Sequence, residues 1–246
     1  MSFKNIRGQD KAINILKNYI AQSRLLGSYI LTGPEGVGKQ LVALNLAKTL
    51  NCQDNGAEPC DACASCQKID KNQHPDVHVI ACADSQIQIE YIRQLQSRSS
   101  LKPYEGRVKV FIINDAHRLT AEASNALLKI LEEPPKNTLI ILITDKLNLL
   151  FKTIISRCKI LRFSPLIRTE LQEIISRDYG VDKASAHFLA YFSEGRLGCA
   201  LRLKDTDILR EKNRVIDAFG QSLTKTYENL NIQGKPEIRQ NLNILA

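Results

Sequence analysis

Cys52, Cys60, Cys63 and Cys66 fall within a short polar stretch, and two overlapping Cys-x-x-Cys pairs with a fourth thiol supply four sulfur ligands. An S₄ set is the soft tetrahedral shell that suits structural Zn²⁺ and leaves no coordination position open for catalysis. The surrounding Asp, Asn, Gly and Pro residues cannot bury a core, so a metal would staple the loop. Redox chemistry is the other use of paired thiols, and four of them argue against it. A second pattern is Gly33-Pro34-Glu35-Gly36-Val37-Gly38-Lys39-Gln40. Glycines at 33, 36 and 38 let backbone N–H groups turn toward phosphate oxygens, and Lys39 reaches the β- and γ-phosphates of ATP. Gln40 stands where Ser or Thr places a hydroxyl on Mg²⁺, and an amide is a longer, weaker metal ligand. Two readings stay open: a site for ATP and Mg²⁺, or a loop that shapes the fold and binds no nucleotide.

The elements that position these residues alternate between apolar runs and amphipathic helices, the signature of an α/β chain with a mostly parallel sheet. Five runs read as strands: 28–32, 77–81, 108–113, 138–143 and 158–163. The middle three are almost continuously apolar, as strands covered on both faces are. After Thr120, the positions Ala123, Ala126, Leu127, Ile130 and Leu131 repeat every three or four residues, and Pro134-Pro135 ends the pattern, which predicts a capped helix. Strand patterning stops near Pro165. The chain therefore divides into an α/β domain over 1–165, short helices over 166–205 and a polar helical tail over 206–246. Cys82, Cys158 and Cys199 lie in apolar or helical contexts and read as packed thiols.

With 246 residues, 43% hydrophobic and 24% charged, the composition is that of an ordinary globular protein. No apolar run is long enough for a membrane span, and the N-terminal residues lack a secretory signal, so a cytoplasmic location without membrane contact is expected. The net charge of +8 suits a phosphate-rich partner and equally suits a solvated basic surface.

Longer motifs add a resemblance. Residues Val110–His117 resemble the Walker B strand of AAA+ proteins, with Asn114 at the Mg²⁺-holding aspartate and Asp115 at the water-orienting glutamate. Asn125–Pro135 and Ser156-Arg157-Cys158 resemble bacterial clamp-loader subunits of the AAA+ family, above all the delta-prime type and its gamma/tau relative. The similarity covers roughly residues 5–205. It implies a AAA+ P-loop domain with a five-stranded parallel sheet, a small all-helical lid, and a tail too short for a complete collar domain. It also implies that Arg157 is an arginine finger acting in trans on a neighbour's nucleotide, and that Thr144 is a sensor residue. Gly198 falls where ATP-hydrolysing members carry an arginine. Together with Gln40, Asn114 and Asp115, this argues for a subunit that assists hydrolysis without performing it; the alternative is a self-sufficient ATPase of the gamma/tau type. Implied partners are gamma/tau and delta subunits, the sliding clamp of DNA polymerase III and primer-template DNA. Arg93, Arg98, Lys102 and Arg107 are the candidates for phosphate contacts, with a solvated helix face as the other reading.

Overall fold

The computed structural model describes Phe3, residues 6–206 apart from 23, 55, 57 and 82–85, and the single positions 208 and 214. The expected tail beyond residue 206 and the expected packed thiol at Cys82 lie outside the described residues. In chain order the elements are α1 (Asp10–Ala21), β1 (Gly27–Thr32), α2 (Lys39–Asn51), α3 (Ala64–Asp70), β2 (Val77–Ile80), α4 (Ile89–Ser99) and β3 (Lys109–Ile113). They continue with α5 (Ala121–Glu132), β4 (Thr138–Thr144), α6 (Lys152–Ile155), β5 (Lys159–Arg162), α7 (Arg168–Tyr179), α8 (Lys183–Phe192) and α9 (Leu197–Lys204).

All five strands are parallel and lie in the order β2-β3-β4-β1-β5, the α/β sheet that the apolar runs predict. β4 is buried along its whole length. Its residues alternate between two cores. Leu139, Ile141 and Ile143 pack with Leu16, Leu31, Val42 and Leu46 from the side of α1 and α2. Ile140 and Leu142 pack with Ile92, Phe111, Leu127 and Ile154 from the side of α4, α5 and α6. A parallel sheet needs this double cover because its crossover helices return over both faces. α5 starts where the sequence indicates: the Thr120 hydroxyl oxygen accepts from the Ala123 N–H at 3.2 Å.

The chain divides into two compact units: Met1–Leu166 with Arg196–Gly198, and Ile167–Gly195 with Cys199–Ala246. The first holds the sheet. In the second, α7 packs on α8. Leu171, Ile174 and Ile175 of α7, Ala186, Leu189 and Ala190 of α8 and Ala200 of α9 are its buried apolar residues among those described. Gly180, in the left-handed conformation with φ 65°, ends α7, and Asp182 caps α8 by accepting from the Ser185 N–H at 2.9 Å.

The two-sided burial of β4 has a measurable consequence. Ile140→Ala and Ile141→Ala each lower the unfolding free energy by about 2–5 kcal/mol in urea titrations. In a sheet with one wet face only one of two successive positions would respond so strongly.

Candidate functional site

The C-terminal ends of β1, β3 and β4 lie side by side, because β4 pairs with both neighbours in parallel register. Ligands of α/β sheets bind at such an edge. The glycine loop leaves β1 there. Gly33 donates its N–H to the Thr144 carbonyl at 3.2 Å, and a Cβ on it would sit 2.2 Å from the Phe163 carbonyl oxygen. Gly36 and Gly38 have φ of 83° and 97°, in the left-handed region that glycine adopts at little cost. Gly38 then caps α2, whose first residue is Lys39. The Lys39 ammonium folds back into its own loop and donates to the carbonyls of Gly33 at 2.5 Å and Pro34 at 2.6 Å. A phosphate reaching Lys39 would have to exchange with these carbonyls. Gln40 is exposed at the start of α2.

Asn114 and Asp115 follow β3 at the same edge. Asp115 has a φ of 48° and is exposed. Thr144 ends β4 fully buried, opposite Thr32 of β1. Its hydroxyl oxygen accepts from the Lys146 N–H at 3.0 Å and lies 3.2 Å from His117 Nδ1. His117 Nδ1 is also 3.3 Å from Asp145 Oδ1. Gly198, which groups with the first unit, donates its N–H to the Gly36 carbonyl at 2.8 Å. A Cβ there would lie 2.9 Å from that oxygen, so the backbone approach leaves no room for a side chain.

Arg157 stands apart from all of these. It precedes β5, and β5 runs parallel to β1 with Lys159 level with Tyr29 and Arg162 level with Thr32. Three strand steps of about 3.3 Å put Lys159 roughly 10 Å before the phosphate-loop end, and Arg157 precedes it further. The arginine thus belongs to the opposite edge of the sheet. Its Nε donates to Glu132 Oε1 at 2.6 Å, Nη2 meets the same oxygen, and Nη1 donates to the Thr153 carbonyl at 2.9 Å and the Ser156 hydroxyl at 3.3 Å. An open depression lined by Leu131, Glu132, Ser156 and Arg157 marks the place. Glu132, at the end of α5, is a partner that the sequence does not single out.

The four cysteines converge. One sulfur from each of Cys52, Cys60, Cys63 and Cys66 lies within 4.8 Å of the others. A tetrahedral shell with bonds near 2.3 Å requires sulfurs about 3.8 Å apart, so the set fits a metal ion with little movement. The thiols are already threaded by N–H···S contacts: Cys60 to Cys52 at 3.4 Å, Cys63 to Cys60 at 3.3 Å and Cys66 to Cys63 at 3.5 Å. Burial raises the Cys63 pKa, but backbone N–H donors from Gln53 and Cys66 outweigh it and bring the thiol down to about 6. Burial pushes the neighbouring Cys66 thiol up, as does its hydrogen bond with Cys63. Lys48, only 1% exposed, holds the flanks of the cluster by pairing with Asp61 at 2.8 Å and Asp70 at 2.5 Å.

Of the basic candidates, Arg93 and Arg98 are exposed on α4, about 140° apart around the helix. Arg98 Nη1 lies 3.1 Å from His78 Nδ1, and Lys102 is exposed in the loop after α4. Burial, with Arg98 and Lys109 nearby, brings His78 down to about 4, so its ring is neutral and accepts from the guanidinium at neutral pH. Arg107 donates to the carbonyls of Leu50 at 3.0 Å and Cys52 at 2.9 Å. No helix among the described residues is long and apolar enough to cross a membrane.

A family model described as DNA polymerase III, delta subunit, matches residues 8–167. DNA polymerase III subunit delta' of Bacillus subtilis is 42% identical over 158 residues, 64% of this chain and 48% of that protein. DNA polymerase III subunit tau of Escherichia coli is 35% identical over 213 residues, 84% of this chain and 33% of that protein. The chain therefore spans about half the length of the first relative and a third of the second. Among solved structures, a Thermotoga maritima RuvB variant aligns with a TM-score of 0.57 at 21% identity, covering 92% of this chain and 79% of that one. That likeness concerns the fold. The matched sequence, over well more than half of the chain, shows that it belongs to the DNA polymerase III delta-subunit family.

Proposed function

We propose that the chain is a clamp-loader subunit of the delta-prime type, which helps place the sliding clamp on primer-template DNA and lends Arg157 to ATP held by a neighbouring gamma/tau-type subunit. The observation that carries this reading is the position of Arg157 at the sheet edge opposite its own phosphate loop. A guanidinium there is too far to serve nucleotide at Lys39, whereas an adjacent subunit's phosphate can meet it. A permanently charged, planar fork stabilises charge spreading over a transferring phosphoryl group. Glu132 must then give up the guanidinium to the incoming phosphate, an exchange of one anion for a more highly charged one.

The chain's own loop supports the assisting role. Gln40 and Asn114 offer neutral amides where a cation needs a hydroxyl and a carboxylate, and Asp115 is shorter than a water-orienting glutamate. The approach of Gly198 to Gly36 leaves no room for an arginine side chain at position 198. Glycines 33, 36 and 38 with Lys39 favour a second reading, a self-sufficient ATPase motor like tau. The helices of 166–205 are read as the lid of this fold, and Arg93, Arg98 and Lys102 as sequence-independent contacts to DNA phosphates in a cytoplasmic replication complex. Cys52, Cys60, Cys63 and Cys66 are read as ligands of a structural Zn²⁺, which holds the loop closed and takes no part in catalysis.

Reconstitution with gamma/tau and delta subunits tests the arginine. Arg157→Ala lowers DNA-stimulated ATP turnover of the assembly on the order of 10³-fold or more at the site it serves, while the isolated chain hydrolyses ATP at background rate. Brisk turnover by the chain alone, lost in Lys39→Ala, favours the motor reading instead. The thiols supply a separate test. In metal-free chain at pH 7, above its pKa of about 6, Cys63 is mostly thiolate and is alkylated before Cys66 in peptide mass spectra. One equivalent of Zn²⁺ protects all four thiols together.

A further inference from the structure

The segment from Tyr104 to Val108 joins the exposed loop after α4 to β3, and polar contacts hold it to the cysteine-bearing part of the chain. The Asp76 carboxylate, 1% exposed, accepts from the N–H groups of Tyr104 at 2.7 Å, Glu105 at 2.9 Å and Gly106 at 2.7 Å. Burial opposes its charge, and these three donors overcome that and hold its pKa below the usual aspartate range. Asn51, the last residue of α2, accepts through Oδ1 from the N–H groups of Arg107 at 2.8 Å and Val108 at 3.0 Å. Gly106 fits this cradle because a Cβ on it would meet Asn51 Oδ1 at 2.5 Å.

Two further ties lead into the cysteine cluster. The Arg107 guanidinium grips the carbonyls of Leu50 and Cys52, so one cysteine's own backbone is an anchor of the loop. Lys68, on α3, donates to both oxygens of Glu105 at 2.9 and 2.7 Å. α3 begins immediately after Cys63, which caps it, and carries Cys66. His74 lies beside these ties and makes no hydrogen bond through its buried Nε2. Its Nδ1 accepts from the Asp76 N–H at 3.1 Å, which leaves Nε2 as the protonated nitrogen of the neutral ring, 3.5 Å from Glu105 Oε1. The outer face of the loop bears Tyr104, 86% exposed, and Leu101, 65% exposed, beside Lys102. Val108 ends the segment in the hydrophobic core, and the polar anchors hold the residues before it.

We propose that the four-cysteine site is a brace: a metal closing Cys52, Cys60, Cys63 and Cys66 fixes the end of α2 and the start of α3, and through Arg107 and Lys68 holds residues 104–108 in one conformation. The inference rests on the reading that these cysteines hold a cation and goes beyond it, by giving the insertion a task at the C-terminal end of α4. Coupling of this kind is reciprocal, so loosening the loop must weaken the metal by the factor by which losing the metal loosens the loop.

Hydrogen–deuterium exchange on the full chain, with Zn²⁺ bound and after chelation, reads the coupling directly, with zinc content measured alongside. Chelation is expected to speed exchange at the amides of 104–108 roughly tenfold, the lower end of what contacts outside a ligand shell contribute, while β4 amides keep their protection. Opening of residues 60–66 with no change at 104–108 overturns the brace. Should chelation release β4 as well, Lys68→Met and Arg107→Met decide the matter with metal present. Each is expected to weaken Zn²⁺ affinity roughly tenfold and to speed exchange at 104–108, and unaltered affinity in both overturns the proposal. A chain that takes up no Zn²⁺ sinks the metal reading itself, whereas uptake with an indifferent loop sinks the brace alone.

Discussion

The common direction of the five strands is the constraint from which the placement of every candidate group follows. Because β1, β3 and β4 run the same way and are paired in register, the glycine loop, Asn114, Asp115 and Thr144 all emerge at one edge. Because β5 runs that way too, the residue two before its start is delivered to the other edge. A parallel sheet has chemically distinct ends, and this chain places a glycine loop with Lys39 at one and Arg157 at the other. The burial of β4 on both faces makes the arrangement rigid, since a slip of one residue would carry Ile140 and Ile141 into each other's cores.

Both charged groups at these edges already have anionic or carbonyl partners within the chain. Lys39 is held by two carbonyls of its own loop, and Arg157 by Glu132, the Thr153 carbonyl and the Ser156 hydroxyl. Arg157 and Glu132 are partly exposed, so the pair is screened by water and contributes only about 0–1 kcal/mol. A weak hold of that size orients the guanidinium while leaving it open to exchange. Lys39 is buried, so its contacts to the two carbonyls are less screened by water.

The insertion between α2 and β2 follows a different logic from the sheet. Among its described residues only Cys52, Pro59, Cys66 and Ile69 are buried apolar ones, and its order comes also from sulfur, from Lys48 between two aspartates, and from backbone N–H groups gathered on Asp76 and Asn51. Directional contacts of this kind define geometry closely but tolerate loss of a partner poorly, because a buried carboxylate or amide without its donors is costly.

Much of this was legible in the residues. Continuous apolar runs identified the five strands, the three- and four-residue repeat after Thr120 identified α5, and glycine and cysteine spacing marked the two candidate sites, because those signals arise from local periodicity and from ligand chemistry. The matched family agreed with the resemblance carried by Asn125–Pro135 and Ser156–Cys158. Other relations exist only once distant segments meet. Glu132 and Arg157 are 25 positions apart, Asn51 and Arg107 56, and Asp76 serves amides 28 to 30 positions away. No spacing rule links such residues, since their approach depends on strand order and on where each helix ends. The sequence by itself determined which groups are available for phosphate and metal chemistry; only the tertiary structure decided which edge of the sheet each one serves, because a parallel register sorts residues by their position along the strand and not by their type.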